Sequence, residues 1–180
     1  MVGIQLIEVL ETSNCDKSDD VYVNEVIKRF FEKRDINNAE INIQQIFLNG
    51  KHKYKTCLKR IENYIRMYKK NTGGESVVVY FIDTDSTEQN YKPGSFFSNV
   101  RLFCEQNNFE LVWFCRTAEN VFIGRKARKG EGKTRLAFEY ANSGCIYKMD
   151  KTKLEKSKIE LGCSNILSVL KKYLKPKIKS

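Results

Sequence analysis

Val77-Val78-Val79-Tyr80-Phe81-Ile82, followed by Asp83-Thr84-Asp85-Ser86, decides the fold. A run of apolar and aromatic residues, rich in β-branched side chains, reads as a strand buried on both faces, the pattern of parallel strands in an α/β sheet. Side chains two apart in a strand share a face. Asp83 and Asp85 therefore present their carboxylates together at the strand's C-terminal end, where open α/β sheets collect ligands. Such a pair suits a hard divalent cation, Mg²⁺ or Mn²⁺, which takes one or two carboxylates plus waters and phosphate oxygens. The competing reading is a turn, since Asp bonds nearby backbone N–H groups and is common where strands end.

Working outward, Ile4 to Leu10 alternates well enough for a first strand, with Glu8 inside it and Glu11 at its end. A polar run over 12–20 follows, in which Ser18, Asp19 or Asp20 can N-cap a helix carrying Val23, Val26, Ile27, Phe30 and Phe31 on one face. Ile41 to Leu48 predicts a second strand, stopped by Asn49-Gly50. Lys51 to Lys70 predicts a basic amphipathic helix, ended by Asn71-Thr72-Gly73-Gly74. Beyond the opening strand, Ser95 to Asn107 suits a helix and Phe109 to Cys115 a fourth strand, closed by Arg116-Thr117-Ala118 and followed by Glu119. Strands alternating with helices predict an α/β fold: a mainly parallel four-stranded sheet with helices on both faces.

The 180 residues fit one domain, with an α/β core over 1–124 and a basic loop and helical C-terminal extension over 125–180. With 32 Lys and Arg against 22 Asp and Glu, the formal charge is +10, which attracts polyanions, nucleic acid first among them. A lysine-rich surface that merely solubilises the chain is the alternative. The six cysteines include no C-x-x-C pair, and there is a single histidine, so neither a zinc cage nor a disulfide framework is indicated. No apolar run is long enough to span a membrane and no secretory pattern opens the chain, so the expectation is a cytosolic protein without a membrane partner.

If the sheet is parallel, Glu11, Asp83, Asp85 and Glu119 lie along one edge, where they repel one another unless a cation or raised pKa values relieve them. Their pattern resembles the Toprim fold, with an acid after strand one and Asp-x-Asp after strand three. Within that group the chain resembles the RloB-like family associated with restriction and phage-defence loci. The likeness rests on Leu6-Ile7-Glu8-Val9-Leu10-Glu11 ahead of a Tyr22-containing helix, Leu48-Asn49-Gly50, Phe81-Ile82-Asp83-Thr84-Asp85, and Cys115-Arg116-Thr117-Ala118-Glu119-Asn120-Val121-Phe122. The resemblance implies a metal-dependent nuclease acting against foreign DNA. It makes Asp83 and Asp85 the ligands of Mg²⁺ or Mn²⁺, Glu11 the general acid or base and Glu119 a supporting acid, with nucleic acid as substrate and a defence-system protein as a further partner. Thr12 follows Glu11 where the Toprim pattern has glycine, and Arg116-Thr117 stands where the family has Ser-Asn, which leaves Glu8 and Glu11 both open as the strand-one acid. The alternative is a non-catalytic nucleic-acid-binding or defence-complex subunit with a degenerate site.

Ala127 to Thr134 fits a loose P-loop pattern with an apolar triplet, Val121-Phe122-Ile123, ahead of it. Too little chain follows to complete a nucleotide-binding sheet. The favoured reading is a flexible basic loop in which Arg125, Lys126, Arg128, Lys129, Lys133 and Arg135 contact phosphate backbone. Tyr54, Tyr64 and Tyr68 among the lysines read as core-facing aromatics before base-stacking ones, and His52 as an exposed helix-start residue.

Overall fold

The computed structural model describes residues 2–13, 17–84 and 92–178. Its centre is a four-stranded, all-parallel sheet of β1 (Gln5–Leu10), β3 (Asn42–Phe47), β4 (Ser76–Asp83) and β5 (Glu110–Phe114), in the order β3-β1-β4-β5. The apolar run at 77–82 is the inner strand β4, and its neighbour β1 is buried along its whole length.

Alternation sorts the strand side chains to two faces. Leu6, Leu10, Val79, Phe81, Val112 and Phe114 pack on one side, under α1 (Ser18–Phe30), α4 (Ala118–Phe122), α5 (Lys133–Ser143) and α6 (Ile166–Leu170). Ile7, Val9, Ile46, Val78, Tyr80 and Ile82 pack on the other, against α2 (Leu58–Thr72) and α3 (Phe96–Gln106). The helices thus cover both faces. The segment after residue 124 shares the first core: Ala137, Tyr140, Ile146, Leu154 and Leu170 join the same cluster as Leu6 and Leu10.

The strand order places a switch point at the centre. From β1 the chain crosses by α1 to β3 on one side, and from β4 by α3 to β5 on the other, with α1 and α3 on opposite faces. Adjacent strands whose crossovers leave in opposite directions open a crevice between their carboxyl ends. Those ends carry Glu11 and Asp83.

Several expectations change. The first helix begins at Ser18 with no side-chain cap on Lys17, so Ser18, Asp19 and Asp20 form its first turn. Phe31, expected on that helix, begins β2 (Phe31–Asp35), which pairs antiparallel with β6 (Leu174–Pro176) in a separate two-stranded sheet. The predicted helix over 51–70 splits into a 3₁₀ turn at Lys51–Lys53 and α2, which ends on Gly73 in the left-handed conformation, φ 75°. Ser95 caps α3 as its position suggests, its hydroxyl accepting from Ser98 N at 3.2 Å. Val121-Phe122 is helical, so the segment before Ala127 is not the strand a P-loop requires.

Tyr54 is buried, Tyr68 donates its hydroxyl hydrogen to Gly3 O at 2.9 Å, and Tyr64 is half-buried. These are structural positions. His52 is exposed, edge-on to Phe96. Cys57, Cys104, Cys115 and Cys163 are buried free thiols and Cys145 an exposed one, while Cys15 lies outside the described residues. Among the described residues no helix is long and apolar enough to cross a membrane.

Candidate functional site

The site is built from four chain segments that meet at the carboxyl edge of β1 and β4. Glu11 follows β1 directly, and its Oε2 accepts a hydrogen bond from Asp83 N at 3.2 Å. The turn after β3 closes over the same strand end, with Gly50 N donating to Glu11 O at 3.0 Å and Asn49 N to Thr12 O at 3.3 Å. Asp83 ends β4, and its Oδ1 accepts from Ala118 N at 2.9 Å, tying the strand end to the start of α4. Thr84 strengthens the tie: its N–H donates to Phe114 O at 3.0 Å and its Oγ1 accepts from Arg116 N at 3.0 Å. Thr117 caps α4, its hydroxyl accepting from Asn120 N at 3.3 Å, and this sets Glu119 on the helix's inner side, only 1% exposed.

Glu11, Asp83 and Glu119, singled out in the sequence, are therefore neighbours in space. Asp85, paired with Asp83 in the sequence reading, lies outside the described residues. Two groups the reading assigned elsewhere join them. Asp19, taken for a helix cap, is buried and lines the same cleft of about 300 Å³ as Glu11, Asp83 and Lys133. Lys133, taken for a member of the basic loop, opens α5 and brings Nζ to 3.7 Å from Glu119 Oε1. One signal for Asp19 was available: a helix that begins just after a strand's C-terminal loop starts at the same sheet edge.

Burial and crowding set the electrostatics. Asp83 is pushed well above the ordinary carboxylate range, first by desolvation and then by the charges of Asp19, Glu11 and Glu119, with Lys133 opposing. Glu11 is also raised, chiefly by desolvation, while the Asp83 N–H, Lys51 and Lys133 pull it back. Tyr22 stacks flat on Phe122 at 4.9 Å between centroids, and burial and the charges of Glu119 and Asp19 hold its phenol protonated. Neither the Tyr22 hydroxyl nor Glu119 Oε1 has a hydrogen-bond partner among the described residues. Glu8 does not join this group: it is wholly buried inside β1 and bonded to Gln45. Of the two acids the sequence left open, Glu11 is the one at the cleft.

The basic loop is organised by its one acid, Glu131. Glu131 accepts both Nη1 and Nη2 of Arg125, at 2.7 and 2.8 Å, and also Arg128 N at 2.8 Å. The Arg125 guanidinium holds the Glu131 carboxyl down to about 2. Arg135 pairs with Glu139 at 3.4 Å, while Lys126, Arg128 and Lys129 are exposed.

The cleft offers the carboxylates of Glu11, Asp19 and Asp83 beside the oxygens of Thr12, Ser13 and Asn49, and oxygen donors of this type suit Mg²⁺ or Mn²⁺ rather than softer metals. Among the described residues no three His, Cys, Asp or Glu side chains are grouped as a ready cage. No protein-family model matches the chain, and no curated protein matches it in sequence.

Proposed function

We propose that the protein is a metal-dependent phosphodiester-processing enzyme of the Toprim kind, as its likeness to the RloB-like family implies, acting on nucleic acid in defence against foreign DNA. The observation that carries this reading is the meeting of Glu11 and Asp83 in one cleft at the switch point of a parallel sheet, with the charge of buried Glu119 from a third element acting on both. A fold has little structural reason to bring like charges together in a cleft, and perturbed acids that share a cleft mark a candidate functional site.

The roles follow from the surroundings. Asp83, with Asp85 beside it in sequence, would hold the cation. When bound, the ion supplies Lewis-acid polarisation of phosphoryl oxygens. Glu11 Oε2 is fixed by the Asp83 N–H, and its raised proton affinity suits it to move a proton to or from the reacting oxygen through Oε1. Glu119, buried behind it, orients the Lys133 ammonium, whose charge limits the repulsion felt by both acids.

A second reading has its own support. Lys133 partly neutralises the cluster from within and the described residues offer no ready cage, as suits a subunit that keeps the fold and binds nucleic acid without cutting it. One assay separates the two. Plasmid, linear duplex, single-stranded DNA and RNA are incubated with Mg²⁺ and with Mn²⁺, beside an Asp83→Ala/Asp85→Ala variant. Cleavage by the wild type alone is expected; activity no greater than the variant's on every substrate leaves the binding-subunit reading.

A further inference from the structure

Helix α4 has two sides. Glu119 and Phe122 turn toward Tyr22 and the carboxylate cleft, whereas Asn120 and Ile123 border a second, larger cleft of about 640 Å³, closed opposite by the chain around Lys148–Lys153 and by Leu161-Gly162. Its lining carries Arg116, Lys148 and Lys153 against a single acid, Asp150. That acid is engaged locally, its oxygens accepting Thr152 N at 2.9 Å and the Thr152 hydroxyl at 2.8 Å. Among the described residues the three cations form no ion pair, although Lys171, Lys172 and Lys175 nearby in sequence pair with Glu155, Glu110 and Glu32.

Arg116 adds a second observation. Its φ is 67°, the left-handed region that is costly for a residue with a bulky side chain and free for glycine. Strain of this sort persists where function needs the side chain. The strained residue is anchored through its N–H to Thr84, next to Asp83, and its exposed side chain lines the larger cleft. The lining also carries Asn120 and apolar groups, among them half-buried Met149 and Leu161, which is 59% exposed.

We propose that this cleft binds a short stretch of a phosphodiester strand, with Arg116, Lys148 and Lys153 on the phosphates and a base against Met149 and Leu161. Cations with apolar surface between them match the alternation of phosphate and base along a strand. The surface that reads nucleic acid is then this cleft rather than the 125–135 loop, where Arg125 is already spent on Glu131. That the bound strand leads to the carboxylates rests on the phosphodiester reading; that the cleft binds it does not.

The test is fluorescence anisotropy in EDTA with a labelled oligonucleotide, as single-stranded DNA and as RNA, over a salt series. Lys148→Glu/Lys153→Glu should weaken binding on the order of tenfold or more and lower the salt slope by about 2, as loss of two phosphate contacts requires. Lys59→Glu/Lys69→Glu, an equal charge change on the exposed side of α2, should cost less than about threefold. Leu161→Ala, which leaves the charge alone, should weaken the oligonucleotide but not an inorganic polyphosphate competitor. The proposal is overturned if the cleft variant binds as wild type, if both reversals weaken binding equally, if neither strand binds, or if polyphosphate and oligonucleotide respond alike to Leu161→Ala. A strand held by the cleft but never cut in metal sinks the nuclease reading and leaves this one standing.

Discussion

Glu8 and Glu11 sit on the same short segment and have opposite surroundings. Glu8 lies in mid-strand, on the side of β1 that faces α1, with Oε2 accepting from Gln45 Nε2 at 3.0 Å and Oε1 without a hydrogen-bond partner. Gln45 also donates to Asp20, which in turn accepts from Asn24 Nδ2 at 2.6 Å. Burial, with a smaller push from Asp20, raises Glu8 to about 7. Glu11 is only half-buried at the strand's end, shares a cleft with Asp83 and Asp19, and feels two lysines. Burial raises the proton affinity of both. Only Glu11 has neighbours and access that put the proton to use, so a shifted carboxyl marks function when a cleft surrounds it and a stability cost when protein does.

The comparison breaks first on activity. Replacing Glu11 by Gln keeps its shape but removes its proton chemistry, and the loss expected for a positioned acid or base is about 10²–10⁴-fold in kcat. Glu8→Gln should leave kcat within a few-fold. Single-turnover cleavage of one defined substrate by both variants checks this, and equal losses would mean that the two acids belong to one network.

The second effect is on stability and reverses the order of importance. Glu8 takes up a proton more readily in the folded chain than in the unfolded one. The folded state therefore binds more protons between the ordinary value of 4.5 and about 7, and stability falls as pH rises through that window. The full difference is about 3 kcal/mol. Chemical denaturation at pH 5 and pH 8 should show the fall in the wild type and a smaller one in Glu8→Gln, since a neutral amide removes the Glu8 share and leaves that of Asp83 and Glu11. An unchanged slope in the variant would assign the fall to Asp83 and Glu11, which shift in the same direction.

How much of this was legible in the sequence follows from the range of the interactions involved. The strands of the parallel sheet announce themselves through local apolar runs, and the acids at their ends follow from reading the sheet as parallel. The pairing of β2 with β6 has no local signal: Phe31-Glu32-Lys33-Arg34-Asp35 continues from α1 without a glycine or proline, carries mostly charge, and finds its partner near residue 175. Asp19 was misassigned because an Asp at a helix start has a sufficient local use. The place of Lys133 was not legible because basic residues in sequence look like one patch, whereas Glu131 and the start of α5 send Arg125 and Lys133 to different partners. Glu8 against Glu11 was a question of one strand's end, which composition does not locate to a residue.

The smallest of the expected effects is the most direct on the cleft. Carboxylates that repel one another in the folded chain are relieved by a cation that binds there and not to the unfolded chain, so the ion should raise the melting temperature by mass action. At a concentration a hundred times its dissociation constant the gain is about 2.7 kcal/mol, or roughly 5–10 °C for a chain of this length. Thermal scans in Mn²⁺ against EDTA should show that rise in the wild type. Glu8→Gln should show it in full, because Glu8 and its partner Gln45 are not part of the cleft. Asp83→Asn should lose most of it, although removing one charge from the cluster makes the empty variant no less stable. In Asp83→Asn the loss of the rise and an undiminished baseline must come together: a variant whose baseline drops has lost the Ala118 N–H tie rather than a charge, and a rise that survives in Asp83→Asn places the ion away from the end of β4.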